Sequence, residues 1–189
     1  MGELAVTDRD DDALCAIGLG SCIGLVLLDT GRARAGLAHV VLPDSAAHRG
    51  APDGPPPGKF ADVAVPALVD AIVAIGARRS RLGAVLVGGA AMFALRPGRP
   101  GQDVGRRNAE AVRQALKDLA IPVLAADTGG STGRTLRVRS TGTVVVRLAG
   151  AGDRVLLDPE RDGARSPTTR STAVLRAARI TTMRQAVTA

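Results

Sequence analysis

The sequence predicts an α/β protein with a mixed sheet layered against two helices. Three observations carry this. Short, β-rich apolar runs recur, the clearest being the unbroken Ile23-Gly24-Leu25-Val26-Leu27-Leu28. A continuous run of that kind fits a strand covered on both faces. Two longer segments repeat their apolar residues at helical spacing, and they are interleaved with the strands rather than grouped apart from them. That interleaving favours layers of helix on sheet.

In chain order, residues 1–12 are polar, end in Asp8-Arg9-Asp10-Asp11-Asp12, and read as a short strand or arm followed by a turn. Residues 13–17 form a brief apolar strand that Gly18 and Gly20 interrupt. Residues 23–28 and 34–42 make a hairpin around Asp29-Thr30-Gly31. Residues 45–58 (SAAHRGAPDGPPPG) are a Pro/Gly loop, long for a compact domain, and mobile or a lid. Residues 60–77 have helical periodicity at Val65, Leu68, Val69, Ile72 and Ile75. Pro66 is expected in the first turn and Gly76 at the C-terminal cap. Residues 82–87 are a strand ending in Gly88-Gly89-Ala90. Residues 104–119 form a second amphipathic helix. Val104, Ala111, Ala115 and Leu119 are expected inward, and Arg106, Arg107, Glu110, Arg113 and Lys117 outward. A strand at 121–126 and an antiparallel pair at 135–138 and 143–148 follow. Beyond Gly150 the composition turns charged and Pro/Gly-containing. The expected division is therefore a domain over residues 1–149 and a partly disordered tail over 150–189, with a marginal helix at 171–189.

Composition narrows the function classes. Hydrophobic residues make up 46% of the chain but aromatics only 1%, so the core must be built from Val, Leu, Ile and Ala. Scarce aromatics also argue against base stacking on single-stranded nucleic acid. The net charge of +7 comes almost wholly from arginines scattered in ones and twos, with no basic run. This describes a solvated basic surface better than a nucleic-acid footprint. Two cysteines are too few for a disulfide framework. Residues 1–12 lack the pattern of a secretory signal, and no apolar stretch reaches the ~20 residues needed to span a bilayer. A cytoplasmic setting with free thiols and no membrane insertion is expected.

The chemistry-bearing residues converge on one stretch. Cys22 follows the glycine-rich turn Gly18-Leu19-Gly20-Ser21 at the entrance of a strand, and His39 lies in the return strand, inside Leu37-Ala38-His39-Val40. A hairpin turn centred between Thr30 and Gly31 sets Cys22 directly opposite His39, with Cβ atoms ~5 Å apart. A slip of one residue would separate them. Cys22 is open to two readings, a buried structural cysteine or a nucleophile whose thiol needs a nearby base. His39 is a core histidine if alone and a general base and acid if paired with Cys22. The turn's backbone N–H groups suit an oxyanion. His48, in the Pro/Gly loop, reads as incidental, and Cys15 reads as core. The Cys and His spacings do not describe a zinc site. Gly88-Gly89 and Gly129-Gly130 lack the nucleotide-loop patterns and instead suggest close backbone approach.

In this order the motifs resemble the CheD family of chemoreceptor glutamine deamidases. The matching residues are Leu19-Gly20-Ser21-Cys22, His39-Val40-Val41-Leu42-Pro43, Phe60-Ala61-Asp62 with Pro66, Val87-Gly88-Gly89-Ala90-Ala91-Met92, Gly105-Arg106-Arg107-Asn108, Asp127-Thr128-Gly129-Gly130, Gly133-Arg134 and Thr141-Gly142. The resemblance implies a three-layer α/β sandwich like the catalytic domain of cytotoxic necrotizing factor toxins. It implies hydrolysis of glutamine side chains on methyl-accepting chemotaxis receptors, through a thioester on Cys22 with His39 as acid and base, and without a cofactor. It also brings a CheC-type phosphatase as a further partner, and with it the alternative of an adaptor that binds receptors or such a phosphatase with little or no catalysis. Three departures stand out. Five or six residues before the cysteine, where the resemblance implies the triad's threonine, this chain has Ile17 and Ala16, so another polar group would take the third role, Ser21 being one candidate. The family's usual tyrosine near the first helix is Phe60 here. Its lysine before Gly88 is replaced by the apolar Ala84-Val85-Leu86.

Overall fold

The computed structural model describes residues 1–46, 56–92, 103–162 and 179–183. Among these residues ten strands and three α-helices run in the order β1 Leu4–Thr7, β2 Asp12–Leu19, β3 Ile23–Asp29, β4 Ala35–Val40, α1 Ala61–Ala74, β5 Leu82–Gly88, α2 Val104–Asp118, β6 Val123–Thr128, β7 Arg134–Arg139, β8 Val144–Leu148, β9 Asp153–Leu157, α3 Pro159–Asp162 and β10 Arg179–Met183. The strands form two sheets, one ordered β1-β4-β3-β5-β6 and the other β10-β2-β7-β8-β9. The first is mixed, because β5 and β6 run parallel while its other pairs are antiparallel. With α1 and α2 on its outer face it makes the expected three-layer α/β sandwich: helices, mixed sheet, second sheet.

The apolar run 23–28 explains why β3 is central. Ile23, Leu25 and Leu27 point to the helices and join Val65, Leu68, Ile72, Val112 and Leu116. Val26 and Leu28 point the other way and join Leu14, Leu19, Leu136, Val138, Val144 and Val146 from the second sheet. The period of two along a strand thus feeds two cores at once. Each such fully buried side chain contributes roughly 1.5–3 kcal/mol, which lets an aliphatic core stand in for an aromatic one. Phe60, ahead of α1, is fully buried as well.

Several expectations change in the folded chain. Pro66 lies beyond the first turn of α1, inside the helix. It is on the exposed side, so the carbonyl one turn earlier can meet solvent instead of the missing N–H. Gly76 does close α1, with φ +91° and its N–H on the Val73 carbonyl at 2.8 Å. The buried stripe of α2 is Gly105, Asn108, Ala109, Val112 and Leu116. Ala111, Ala115 and Leu119 flank that stripe rather than form it. The segment after Gly150 is not tail throughout. β9 extends the second sheet by pairing with β8, and β10 pairs parallel with β2, so residues 179–183 are strand where a marginal helix was expected.

Candidate active site

The β3–β4 hairpin has a wider turn than Asp29-Thr30-Gly31 alone suggests. Leu28 pairs with Ala35, so the turn is centred between Gly31 and Arg32. Asp29 sets this width. Its carboxylate accepts from the Gly31 N–H at 2.9 Å and the Arg78 N–H at 2.9 Å, and pairs with Arg81 at 3.0 Å, while its carbonyl accepts from Arg32. Burial would raise the Asp29 pKa, but those hydrogen bonds and the Arg81 charge outweigh it and hold the carboxyl below its usual range.

His39 therefore lies opposite Gly24, not Cys22. The shift is two residues, so both side chains stay on the face of the hairpin that looks at the second sheet. Their positions are offset by two along that face rather than directly opposed, with Cys22 one residue outside the ladder. Gly24 offers no side chain opposite the imidazole, and Leu19 and Leu136 close over that position. His39 is 1% exposed and Cys22 is 6% exposed. Cys22 belongs to the same buried cluster as Ala16, Leu19, Leu37 and Leu136.

The electrostatics of the pair are those of neutral groups. Burial pushes the Cys22 thiol up, only partly offset by the Met1 ammonium and by the cysteine's own backbone N–H. Burial pushes His39 down to about 4. Its Nε2 is buried without a hydrogen-bond partner among the described residues. An orphaned buried nitrogen costs about 1–3 kcal/mol, and such groups call for a specific explanation. A neutral imidazole beside a neutral thiol can take the thiol proton as sulfur attacks, then return it to a leaving amine.

The backbone around Cys22 is held from three directions. The Cys22 carbonyl accepts from the Gly89 N–H at 2.8 Å, and the Gly20 carbonyl accepts from the Ala90 N–H at 2.7 Å. Gly88, at φ +117°, passes so close that a Cβ there would lie 2.2 Å from the Cys22 carbonyl oxygen. The Gly129 N–H donates to the Gly88 carbonyl, and the Ala91 N–H to the Gly130 carbonyl. Gly88-Gly89 serves close backbone approach, whereas Gly129 and Gly130 have open space around them and are required instead by their positive φ of 86° and 69°. From the helix side, Asn108 Nδ2 donates to the Ser21 carbonyl at 2.9 Å and the Val41 carbonyl at 2.8 Å. Asn108 appeared in the sequence only as part of a motif. A polar residue on the buried stripe of an otherwise apolar helix face was the signal that could have singled it out.

The remaining residues fall into place around this turn. Ser21 is half-buried, and its described hydrogen bond runs through its carbonyl, not its hydroxyl. Ala16 is fully buried and faces inward opposite Leu136, whereas Ile17 is 45% exposed. Cys15 and Cys22 are both free thiols, Cys15 within the second sheet and Cys22 leading into the first. His48 lies outside the described residues. A cavity of about 660 Å³ opens beside Thr30 to Ala33, at the opposite end of the hairpin from Cys22. Among the described residues, no helix is long and apolar enough to cross a membrane.

A family model described as CheD chemotactic sensory transduction matches residues 41–148. The chain belongs to the CheD family. The chain is 48% identical over 157 residues to a probable chemoreceptor glutamine deamidase CheD of Symbiobacterium thermophilum, covering 82% of this chain and 94% of that protein. It is 42% identical over 145 residues to a probable chemoreceptor glutamine deamidase CheD of Clostridium botulinum strain Hall, covering 76% of this chain and 88% of that protein. The CheD match begins just after His39, so it takes in the Gly88-Gly89 turn and Asn108 but not the cysteine.

Proposed function

We propose that this CheD protein is a chemoreceptor glutamine deamidase that uses Cys22 as nucleophile and His39 as general base and acid. The observation that carries the reading is the buried Nε2 of His39, unpartnered among the described residues, on the same hairpin face as the buried Cys22 thiol. In the acylation step the Cys22 sulfur bonds to the carboxamide carbon and its proton passes to His39. Collapse of the tetrahedral intermediate breaks the C–N bond, and the nitrogen leaves as ammonia with the proton from His39. Water then attacks the thioester, giving up a proton to His39, and the products are a glutamate side chain and the restored thiol. The backbone N–H groups of Ser21 and Cys22 are the donors proposed for the oxyanion, since that of Gly20 donates to the Gly18 carbonyl. Ser21 is proposed as the hydroxyl nearest the pair, in place of the threonine that the family resemblance implies.

The substrate proposed is a glutamine on the cytoplasmic part of a methyl-accepting receptor, which places the protein in the cytoplasm. The deciding experiment incubates the full chain with a receptor cytoplasmic fragment and follows the mass change of Gln to Glu. Conversion by wild type and none by Cys22→Ala is expected. Conversion that survives Cys22→Ala would overturn the assignment.

The inward-facing Ala16, which has no hydroxyl to orient His39, favours a second reading. In it the protein is an adaptor that binds receptors or a CheC-type phosphatase and deamidates slowly or not at all. Restoration of chemotaxis in cells by Cys22→Ala would select that reading, whereas failure to restore it would select the enzyme.

A further inference from the structure

The ladder between β3 and β4 stops at Ile23 and Val40. Beyond it the two strands part. The Val41 and Leu42 N–H groups turn to the Lys59 carbonyl, and the Cys22 carbonyl turns to Gly89. Two carbonyls, those of Ser21 and Val41, are left facing each other across the gap without the strand's own donors. One precedes Cys22, and the other lies two residues past His39. The single amide of Asn108 spans that gap, with Nδ2 at 2.9 and 2.8 Å from the two oxygens.

The amide's orientation follows from its partners. Two acceptors face it, so the nitrogen must point there; a flipped amide would set oxygen against two oxygens. Asn108 is fully buried, and its Oδ1 has no partner among the described residues. An apolar residue would carry no such unpaired oxygen, so the two donors are what the position requires. One turn earlier on the same helix face stands Gly105, where a Cβ would lie 2.5 Å from the Gly89 carbonyl oxygen. That bare position lets α2 approach close enough for the Asn108 amide to reach both strands.

We infer that Asn108 is the positioning residue of this site: its amide ties the Cys22 turn to the strand carrying His39 and so sets the distance between thiol and imidazole. Asn108 touches neither reacting group. It acts through two backbone carbonyls, and the inference rests on the proposed Cys22–His39 chemistry. Small errors of placement weigh heavily on a covalent step, since displacement by about 1 Å can cost on the order of a hundredfold in rate.

The test compares wild type, Asn108→Ala, Asn108→Asp and Val112→Ala in the full chain. Val112, buried on the same face of α2, controls for general loosening of the helix. Deamidation of a receptor fragment gives kcat and KM. Iodoacetamide labelling of Cys22, read by peptide mass, reports on the turn without any substrate. Asn108→Ala should lower kcat by at least about tenfold with KM within about threefold, and should speed Cys22 labelling, because a released turn exposes its thiol. Asn108→Asp should lose activity as pH rises and its carboxyl ionises, since only the protonated acid can donate to a carbonyl. Val112→Ala, at an equal fall in melting temperature, should leave both readouts within about twofold of wild type. The inference is overturned if Asn108→Ala keeps kcat within twofold, or if both readouts follow melting temperature alike in the two variants. Should the wild type fail to deamidate, or Cys22→Ala remain active, the catalytic reading fails. The labelling comparison still decides the clamp, since unchanged Cys22 labelling in Asn108→Ala would refute it.

Discussion

His39 stands across the β3–β4 ladder from Gly24, offset by two positions from Cys22 on the same face. The glycine places no side chain opposite the ring, and Leu19 and Leu136 seal the position from the second sheet. Burial of both side chains favours their neutral forms. The consequences can be measured.

Replacing either member of the pair should abolish turnover without unfolding the protein. His39→Gln should reduce kcat by about 10²–10⁴-fold, the usual share of a general acid–base, and Cys22→Ser by more. Circular dichroism and melting curves should stay close to wild type. If His39→Gln kept more than a tenth of wild-type kcat, the base would have to lie elsewhere.

Because His39 titrates near 4 rather than at its ordinary 6.5, activity should hold as pH falls through 6.5 and decline only toward pH 5 and below. A plot of kcat/KM against pH reads the free enzyme's essential base. An acid limb centred at 6.5 would mean that the imidazole is solvated or paired with a charge.

The same depression makes stability pH-dependent. Between about 4 and 6.5 the unfolded chain binds a proton at this histidine that the folded chain refuses. Unfolding free energy should therefore fall by about 3 kcal/mol as pH drops across that window. Asp29, lowered in the fold, adds stability that is present above the ordinary carboxylate range and lost as pH falls further. Urea unfolding at pH 7, 5.5 and 4.5, with His39→Gln alongside, isolates the histidine's share. Equal slopes in wild type and variant would refute it.

Ala16 faces inward, at one of the two positions where the family resemblance implies a threonine. Ala16→Thr should raise kcat severalfold if its hydroxyl orients His39, at a cost of about 1–3 kcal/mol for the added atoms in a filled core. A lower melting temperature with unchanged kcat would show that this fold does not use a hydroxyl at that position.

Asp127 accepts from Arg134 at 2.9 Å and Arg154 at 2.7 Å, joining β6 of the first sheet to β7 and β9 of the second. Arg134 is almost wholly buried. Arg134→Ala leaves a half-buried carboxylate without its buried partner and should cost about 3 kcal/mol. Arg154→Ala, at an exposed partner, should cost less than about 1 kcal/mol. Denaturant midpoints for the two variants test the order, and a reversal would mean that the sheets are held chiefly by their apolar faces.

Periodicity along the chain was enough to place nearly every strand, both main helices and the α/β class, because burial on one face leaves its period in the residues themselves. The ordered motifs carried the family, and Cys22 and His39 stood out as a thiol and an imidazole in one hairpin. Register was not legible. It depended on how Asp29 widens the turn through Gly31, Arg78 and Arg81, and the last two come from a distant segment. The strand β9 was also missed, since its exposed, charged residues gain a role only from the edge of β8 they pair with. Asn108 was hidden for the same reason. Its meaning lies in two carbonyls, Ser21 and Val41, far away in sequence and brought together only when α2 packs onto the sheet. The sequence by itself determined that a cysteine and a histidine share a hairpin. Tertiary packing decided that they are offset by two on one face, buried and neutral, with a helix amide joining the two segments.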